Sequence, residues 1–155
     1  MGRFVIEVDD PRRDDVRSLL EQHLAFAHES TPPEDVYALG IEALVDPAIT
    51  FYSLRVDGEV LAVGAIRQLD PHDAEIKSMH TAEAARRRGY GRAMVDHLLA
   101  VAADRGVRRV YLETGSAEVF SPARRLYVSA GFEPCGPFGE YEESPNLAFM
   151  TKSLG

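Results

Sequence analysis

The sequence predicts an α/β (α+β) fold with a mixed, mostly antiparallel central sheet and flanking helices. Two β-rich runs, Phe51 to Val56 and Val60 to Leu69, are joined by Asp57-Gly58, the best hairpin signal in the chain. Glu75 to His80 reads as another strand. After it Met94, Leu98, Val101 and Ala102 recur on one helical face. With 155 residues and 45% apolar content, the chain fits one domain spanning residues 1–155.

The elements follow in order. Arg3 to Val8 alternates through Phe4, Ile6 and Val8, as a strand with one buried face does. Asp10-Pro11 reads as an N-cap with proline in the first turn, and Val16, Leu19, Leu20 and Leu24 line the helix that follows. Thr31-Pro32-Pro33 breaks the chain, and Glu34 to Leu44 suits a second, shorter helix with acidic residues near its positive end. The hairpin strands and Ala74 to His80 give three antiparallel strands. Gly106 stops the next helix, and Val107 to Leu112 is a short apolar strand. Ser121-Pro122 starts the last helix, with Ala123, Leu126, Tyr127 and Ala130 inward and Gly131 at its end. Leu147 to Lys152 is the final strand, after an irregular acidic stretch.

Composition narrows the function. No apolar run approaches the roughly 20 residues of a membrane span, no signal peptide begins the chain, and a cytoplasmic location is expected. The single cysteine, Cys135, cannot form an internal disulfide and is read as a half-buried turn residue. A net charge of −8 argues against a general nucleic-acid binder. Five basic residues against Glu83 alone reverse that balance between Lys77 and Arg92, which favours a small polyanionic ligand. The histidines and the cysteine show no metal-ligand spacing, so no metal is expected.

The run Arg86-Arg87-Arg88-Gly89-Tyr90-Gly91-Arg92 sits where a strand hands over to a helix. Unpaired amides and the positive end of the helix dipole can hold phosphate oxygens there. Gly89 and Gly91 remove the β-carbons that would keep backbone and ligand apart. A P-loop requires Gly-Lys-Ser/Thr, which the chain lacks, and a dinucleotide fold requires a third spaced glycine in an early parallel βαβ unit.

Arg86-x-x-Gly89-x-Gly91, followed by Ala123-x-x-Leu126-Tyr127-x-x-x-Gly131-Phe132, resembles the GNAT superfamily of acyl-CoA-dependent N-acetyltransferases. The resemblance spans nearly the whole chain and implies the fold of that family, with its fourth and fifth strands splayed into a V. It implies acetyl-CoA as cosubstrate, its pyrophosphate on the amides from Arg87 to Arg92 and within reach of Arg86, Arg87, Arg88 and Arg92. The pantetheine arm would run between Ile76 to His80 and Tyr111 to Thr114, with Met79 N–H toward the thioester oxygen. Lys77 has a weaker claim on phosphate, since alternation points it toward solvent. The cofactor-binding set is therefore Met79, His80, Arg86, Arg87, Arg88, Gly89, Tyr90, Gly91, Arg92, Thr114 and Tyr127. Phe120 departs from the pattern, standing where many members carry asparagine, and Ser121 or Ser116 is a candidate replacement.

Transfer to an amine needs a proton donor for the departing thiolate and an acceptor for the amine proton. Tyr127 matches the acid of many relatives and keeps its proton at neutral pH. Glu75 and His80 are the alternative bases, and Glu113 is either a further one or a structural residue. The acceptor is expected to be a small-molecule amine or amino acid. His23, Phe26 and His28 near the end of the first helix, with the aromatic and acidic residues of the late loop, Phe138, Glu140, Tyr141, Glu142 and Glu143, are candidates for attracting it. A non-catalytic acyl-CoA sensor or a protein-interaction module is the alternative, and pairing in the family admits a homodimer.

Overall fold

The computed structural model describes residues 3–35 and 40–155. Among the described residues seven strands form one sheet in the order β1-β2-β3-β4-β5-β7-β6. They are β1 (Val5–Val8), β2 (Ile49–Val56), β3 (Glu59–Gln68), β4 (Asp73–Thr81), β5 (Arg109–Gly115), β6 (Glu133–Cys135) and β7 (Leu147–Ser153). Among the described residues three α-helices, α1 (Asp14–Ser30), α2 (Tyr90–Asp104) and α3 (Ser121–Ser129), cover it. Every neighbouring pair is antiparallel except β4 and β5, which run parallel.

Both faces of the sheet are buried where it matters. Val63 and Ala65 of β3 pack with Val16, Leu19 and Leu20 of α1. Ala62 and Ile66 on the opposite face join Met94, Val95 and Leu98 of α2. Gly64 lies between them because a β-carbon there would sit 2.8 Å from Met79 Sδ and 2.8 Å from Met94 Cγ. Gly64→Ala is accordingly expected to destabilise the fold by about 1–3 kcal/mol through overpacking. Urea unfolding checks this, and an unchanged midpoint would mean that the two methionines yield freely.

The hairpin forms as expected: Asp57 and Gly58 have φ of 51° and 82°, the consecutive left-handed pair of a type I′ turn. Other expectations are corrected. The first helix starts at Asp14, not beside Pro11, because the Asp10 carbonyl and carboxylate accept from Arg13 N–H and Arg12 N–H in a preceding turn. The helix expected over Glu34 to Leu44 is not continuous. Pro33–Asp35 and Ile41–Val45 are separate 3-10 turns with Gly40 extended before the second, and residues 36–39 lie outside the described residues. The fifth strand begins at Arg109 and runs to Gly115, later than Val107 to Leu112. Cys135 ends β6 instead of occupying a turn; this three-residue edge strand contains Pro134, which an edge tolerates. None of the described helices is long and apolar enough to cross a membrane.

Candidate active site

The ladder between β4 and β5 stops early. Its pairs are Asp73 with Arg109, Ala74 with Val110 and Glu75 with Tyr111, although β4 continues to Thr81 and β5 to Gly115. From Ile76 and Leu112 onward the strands diverge, leaving a V with Glu75 at its apex. A cleft of about 650 Å³ occupies this V and reaches the start of α2 and one side of α3.

A bulge in β4 decides which side chains enter it. Val63 pairs with His80 and Ala65 with Lys77, so Ser78 and Met79 together oppose Gly64. Ser78 takes φ of 57°, the left-handed conformation of the extra residue. The shift keeps Met79 with Ile76 on the α2 face, while His80 joins Glu75 and Lys77 on the face toward α1. Without that residue His80 would point away from α1.

At the mouth, Arg87 (φ 65°) and Gly89 (φ 85°) bend the chain into α2. Gly89 is the N-cap, its carbonyl accepts from Ala93 N–H, and no side chain caps the helix. The amides of Tyr90, Gly91 and Arg92 therefore lack intrahelical partners and gather positive potential. The glycines have different duties. Gly89 supplies the left-handed bend, whereas a β-carbon on Gly91 would lie 3.3 Å from both Leu126 and Thr81, so Gly91 admits close packing of α2 on α3 and β4.

The arginines also divide. Arg86 Nε donates to the Thr81 carbonyl at 3.3 Å, and Arg92 is held by Asp96 and Ser129. Arg87 is exposed at the cleft mouth, and Arg88 is exposed without lining the cleft. Tyr90 is buried against Phe4 and serves the core, although part of it borders the cleft. Thr114 lines the β5 wall.

Tyr127 enters from α3. It is buried, packs edge-on against Phe132, and its hydroxyl makes no hydrogen bond to another described residue. Burial first, then the Glu113 charge, raises its pKa above that of an ordinary phenol. Arg124 on the same helix donates to the Gly115 and Ala117 carbonyls and ties α3 to the end of β5. Phe120 crosses Phe26 of α1 edge to face at 5.2 Å, giving the cleft an aromatic wall where the family pattern has an asparagine. Ser116 Oγ donates to Pro145, and Ser121 Oγ is engaged with Glu118 and Arg125.

The base candidates occupy different surroundings. The His80 ring lies tilted against that of His23 of α1, with centroids 5.3 Å apart. Burial, reinforced by neighbouring positive charge, lowers both imidazoles to about 4, and both are neutral at pH 7. Glu75 is 3% exposed and forms a cluster. Lys77 Nζ lies 3.2 Å from Glu75 Oε2, and the Tyr141 hydroxyl donates to the same oxygen at 2.6 Å. Lys77 Nζ also donates to the Tyr141 oxygen at 2.9 Å. Lys77 thus does not face solvent: its side chain is 8% exposed. Sequence reasoning missed the contact of His23 with His80, the burial of Lys77 and the reach of Tyr141; alternation says which face a residue takes but not that both faces are covered. Glu140, Glu142 and Glu143 are exposed and do not line the cleft. No group of side chains able to hold a metal ion occurs among the described residues.

Comparison with known proteins agrees with this architecture. The profile of the Acetyltransferase (GNAT) family matches residues 13–132. The uncharacterized N-acetyltransferase YsnE of Bacillus subtilis is 44% identical over 96% of this chain and 99% of its own. The uncharacterized N-acetyltransferase YedL of Escherichia coli is 35% identical over 97% and 95%. A GNAT family acetyltransferase from Elizabethkingia anophelis, solved with acetyl-CoA bound, has the same fold at a TM-score of 0.73 and 16% identity, over 99% of this chain and 100% of that one. With its opened strand pair and matching sequence, the chain belongs to the GNAT family and is an N-acetyltransferase.

Proposed function

We propose that the protein transfers the acetyl group of acetyl-CoA to the nitrogen of a small primary amine or amino acid, as one domain and without a metal. The observation that carries this is the V between β4 and β5, whose open end meets three unpaired amides at the start of α2. Such a site fits the donor. The amides of Tyr90, Gly91 and Arg92 would hold the pyrophosphate with Arg87 beside them. The unpaired edges of Ile76 to His80 and Leu112 to Thr114 would hold the pantetheine arm, as an added strand is held. The same fold holds acetyl-CoA in the Elizabethkingia protein.

Acetyl-CoA supplies an activated acyl group. Within the cleft, Met79 N–H would donate to the acyl oxygen as negative charge grows there. Tyr127 would protonate the departing sulfur: burial keeps its phenol protonated at neutral pH, and its hydroxyl has no competing partner among the described residues. Glu75 is the better base, with Oε2 fixed by Lys77 and Tyr141 and Oε1 without a hydrogen-bond partner among the described residues. His80, lowered to about 4, is neutral at pH 7, and with His23 it forms a neutral wall beside the acceptor.

A thermal-shift series with acetyl-CoA, CoA and ATP tests the donor. At 100 times Kd a ligand specific for the native state stabilises by about 2.7 kcal/mol, so both CoA species are expected to raise Tm and ATP to do less. Stabilisation by ATP alone overturns the donor assignment. Thiol release from acetyl-CoA with a panel of amines and amino acids then tests the acceptor, and release independent of any added amine overturns it.

A further inference from the structure

Glu75 marks the apex of the V, and the loop between β6 and β7 reaches that point. Phe138 stacks on Tyr111, the residue paired with Glu75, at a centroid distance of 4.7 Å. Tyr141 packs edge-on against Phe138 at 4.9 Å and tilted against Phe149 of β7 at 5.6 Å. This aromatic anchor brings one hydroxyl from a segment 66 residues away onto Glu75 Oε2. Lys77 completes a closed triangle with the same two groups. Nothing about packing alone requires a buried carboxylate and ammonium at the floor of a cleft with a half-buried phenol closing on them. A hydrophobic trio would be cheaper to bury.

We infer that Tyr141 is a positioning residue for acetyl transfer: with Lys77 it holds Glu75 Oε2 and so presents Oε1 to the acceptor amine. As the amine nitrogen bonds to the acyl carbon and the carbon–sulfur bond breaks, Glu75 Oε1 takes one N–H proton and Tyr127 gives its proton to the sulfur. Return of that proton from Glu75 to Tyr127 through water restores both. Tyr141 keeps its own proton throughout, as burial and the Glu75 charge both favour its neutral form. The acceptor nitrogen must therefore come within hydrogen-bond reach of Oε1, at the apex between the strands.

The groups around Glu75 fix the sign of the expected effect. Lys77 on its own strand and Tyr141 from the loop donate to it. Arg67 of β3 and Tyr111 of β5 are its register partners. Glu113 of β5 acts on Tyr141, and His23 of α1 senses Lys77. Removing a donor from a carboxylate disfavours its charged form and raises its pKa. Tyr141→Phe keeps the ring and its aromatic contacts but loses the donor. The acidic limb of its kcat/KM profile is expected to move to higher pH by about one unit, since loss of one charge-assisted hydrogen bond corresponds to a shift of that order. Phe138→Leu removes a ring that Tyr141 packs against, so its limb is expected to move in the same direction and by less.

Because this role rests on the transfer chemistry proposed above, a second readout separates the two. The carboxyl carbon of Glu75, labelled with carbon-13 and identified by its absence in Glu75→Gln, can be titrated in the free protein. An upward shift of its pKa in Tyr141→Phe, together with the moved limb, supports the inference. A Glu75 titration that is the same in wild type and Tyr141→Phe overturns it, as does an acidic limb that stays in place in Tyr141→Phe. Failure of the wild type to release thiol from acetyl-CoA overturns the transfer reading itself, and with it the positioning role, whatever the titration shows.

Discussion

Replacement of Tyr127 by phenylalanine is expected to lower kcat by about 100-fold or more, the usual contribution of a positioned general acid. The KM for acetyl-CoA should stay within about twofold, because an interaction made mainly in the transition state leaves ground-state binding little changed. The substitution is well suited to the question. Tyr127 is buried and packs edge-on against Phe132, a contact that phenylalanine preserves. Its hydroxyl has no hydrogen-bond partner among the described residues, so removing it leaves no partner of the fold unsatisfied. Stability should therefore be unchanged or slightly raised. Burial, with the Glu113 charge second, raises the phenol pKa; the group stays protonated across the neutral range, and the basic limb of the wild-type profile should lie well above it. Steady-state kinetics at saturating acceptor measures both quantities. Turnover equal to wild type would remove Tyr127 from the chemistry and leave it a packing residue.

Legibility in the sequence followed the range of the forces involved. Asp57-Gly58 was readable because a two-residue turn with both φ positive is written in the turn residues themselves. The Gly89 bend was readable for the same reason, and the faces of α1 and α2 were readable from their period. The second helix failed because Gly40 is extended and the 3-10 turn after it packs Leu44 beneath α1, a tertiary preference over local propensity. Strand β6 escaped because three residues containing a proline carry no alternation. The site divided along the same line. The phosphate turn is local, whereas the Glu75–Lys77–Tyr141 triangle joins residues 64 and 66 positions apart. The bulge at Ser78 that swings His80 toward His23 has no residue signal, since serine seldom takes a positive φ. Phe138 and Tyr141 were noticed as an aromatic cluster, but only the fold reveals that they reach the apex of the V.

Gly89→Val is expected to produce the opposite kinetic pattern, a loss in donor affinity with kcat largely kept at saturating acetyl-CoA. Gly89 has φ of 85°, which a β-branched residue adopts only under strain. Holding that geometry would cost about 1–2 kcal/mol, and relaxing it would turn the first amides of α2 away from the cleft. Each hydrogen bond from an amide to a charged phosphate oxygen is worth about 1.5–3 kcal/mol. Loss of even one such bond raises KM for acetyl-CoA by about 30-fold. Arg86 and Arg92 would not compensate, because the first is tied to Thr81 and the second to Asp96 and Ser129. Gly91→Ala probes the neighbouring glycine by a different route: its β-carbon meets Leu126 and Thr81, so it should lower Tm more than it alters the amide turn. Measuring KM for acetyl-CoA and Tm for both variants separates ligand approach from helix packing. A KM unchanged in Gly89→Val, with the protein still folded by circular dichroism, would mean that the turn before α2 does not carry the diphosphate.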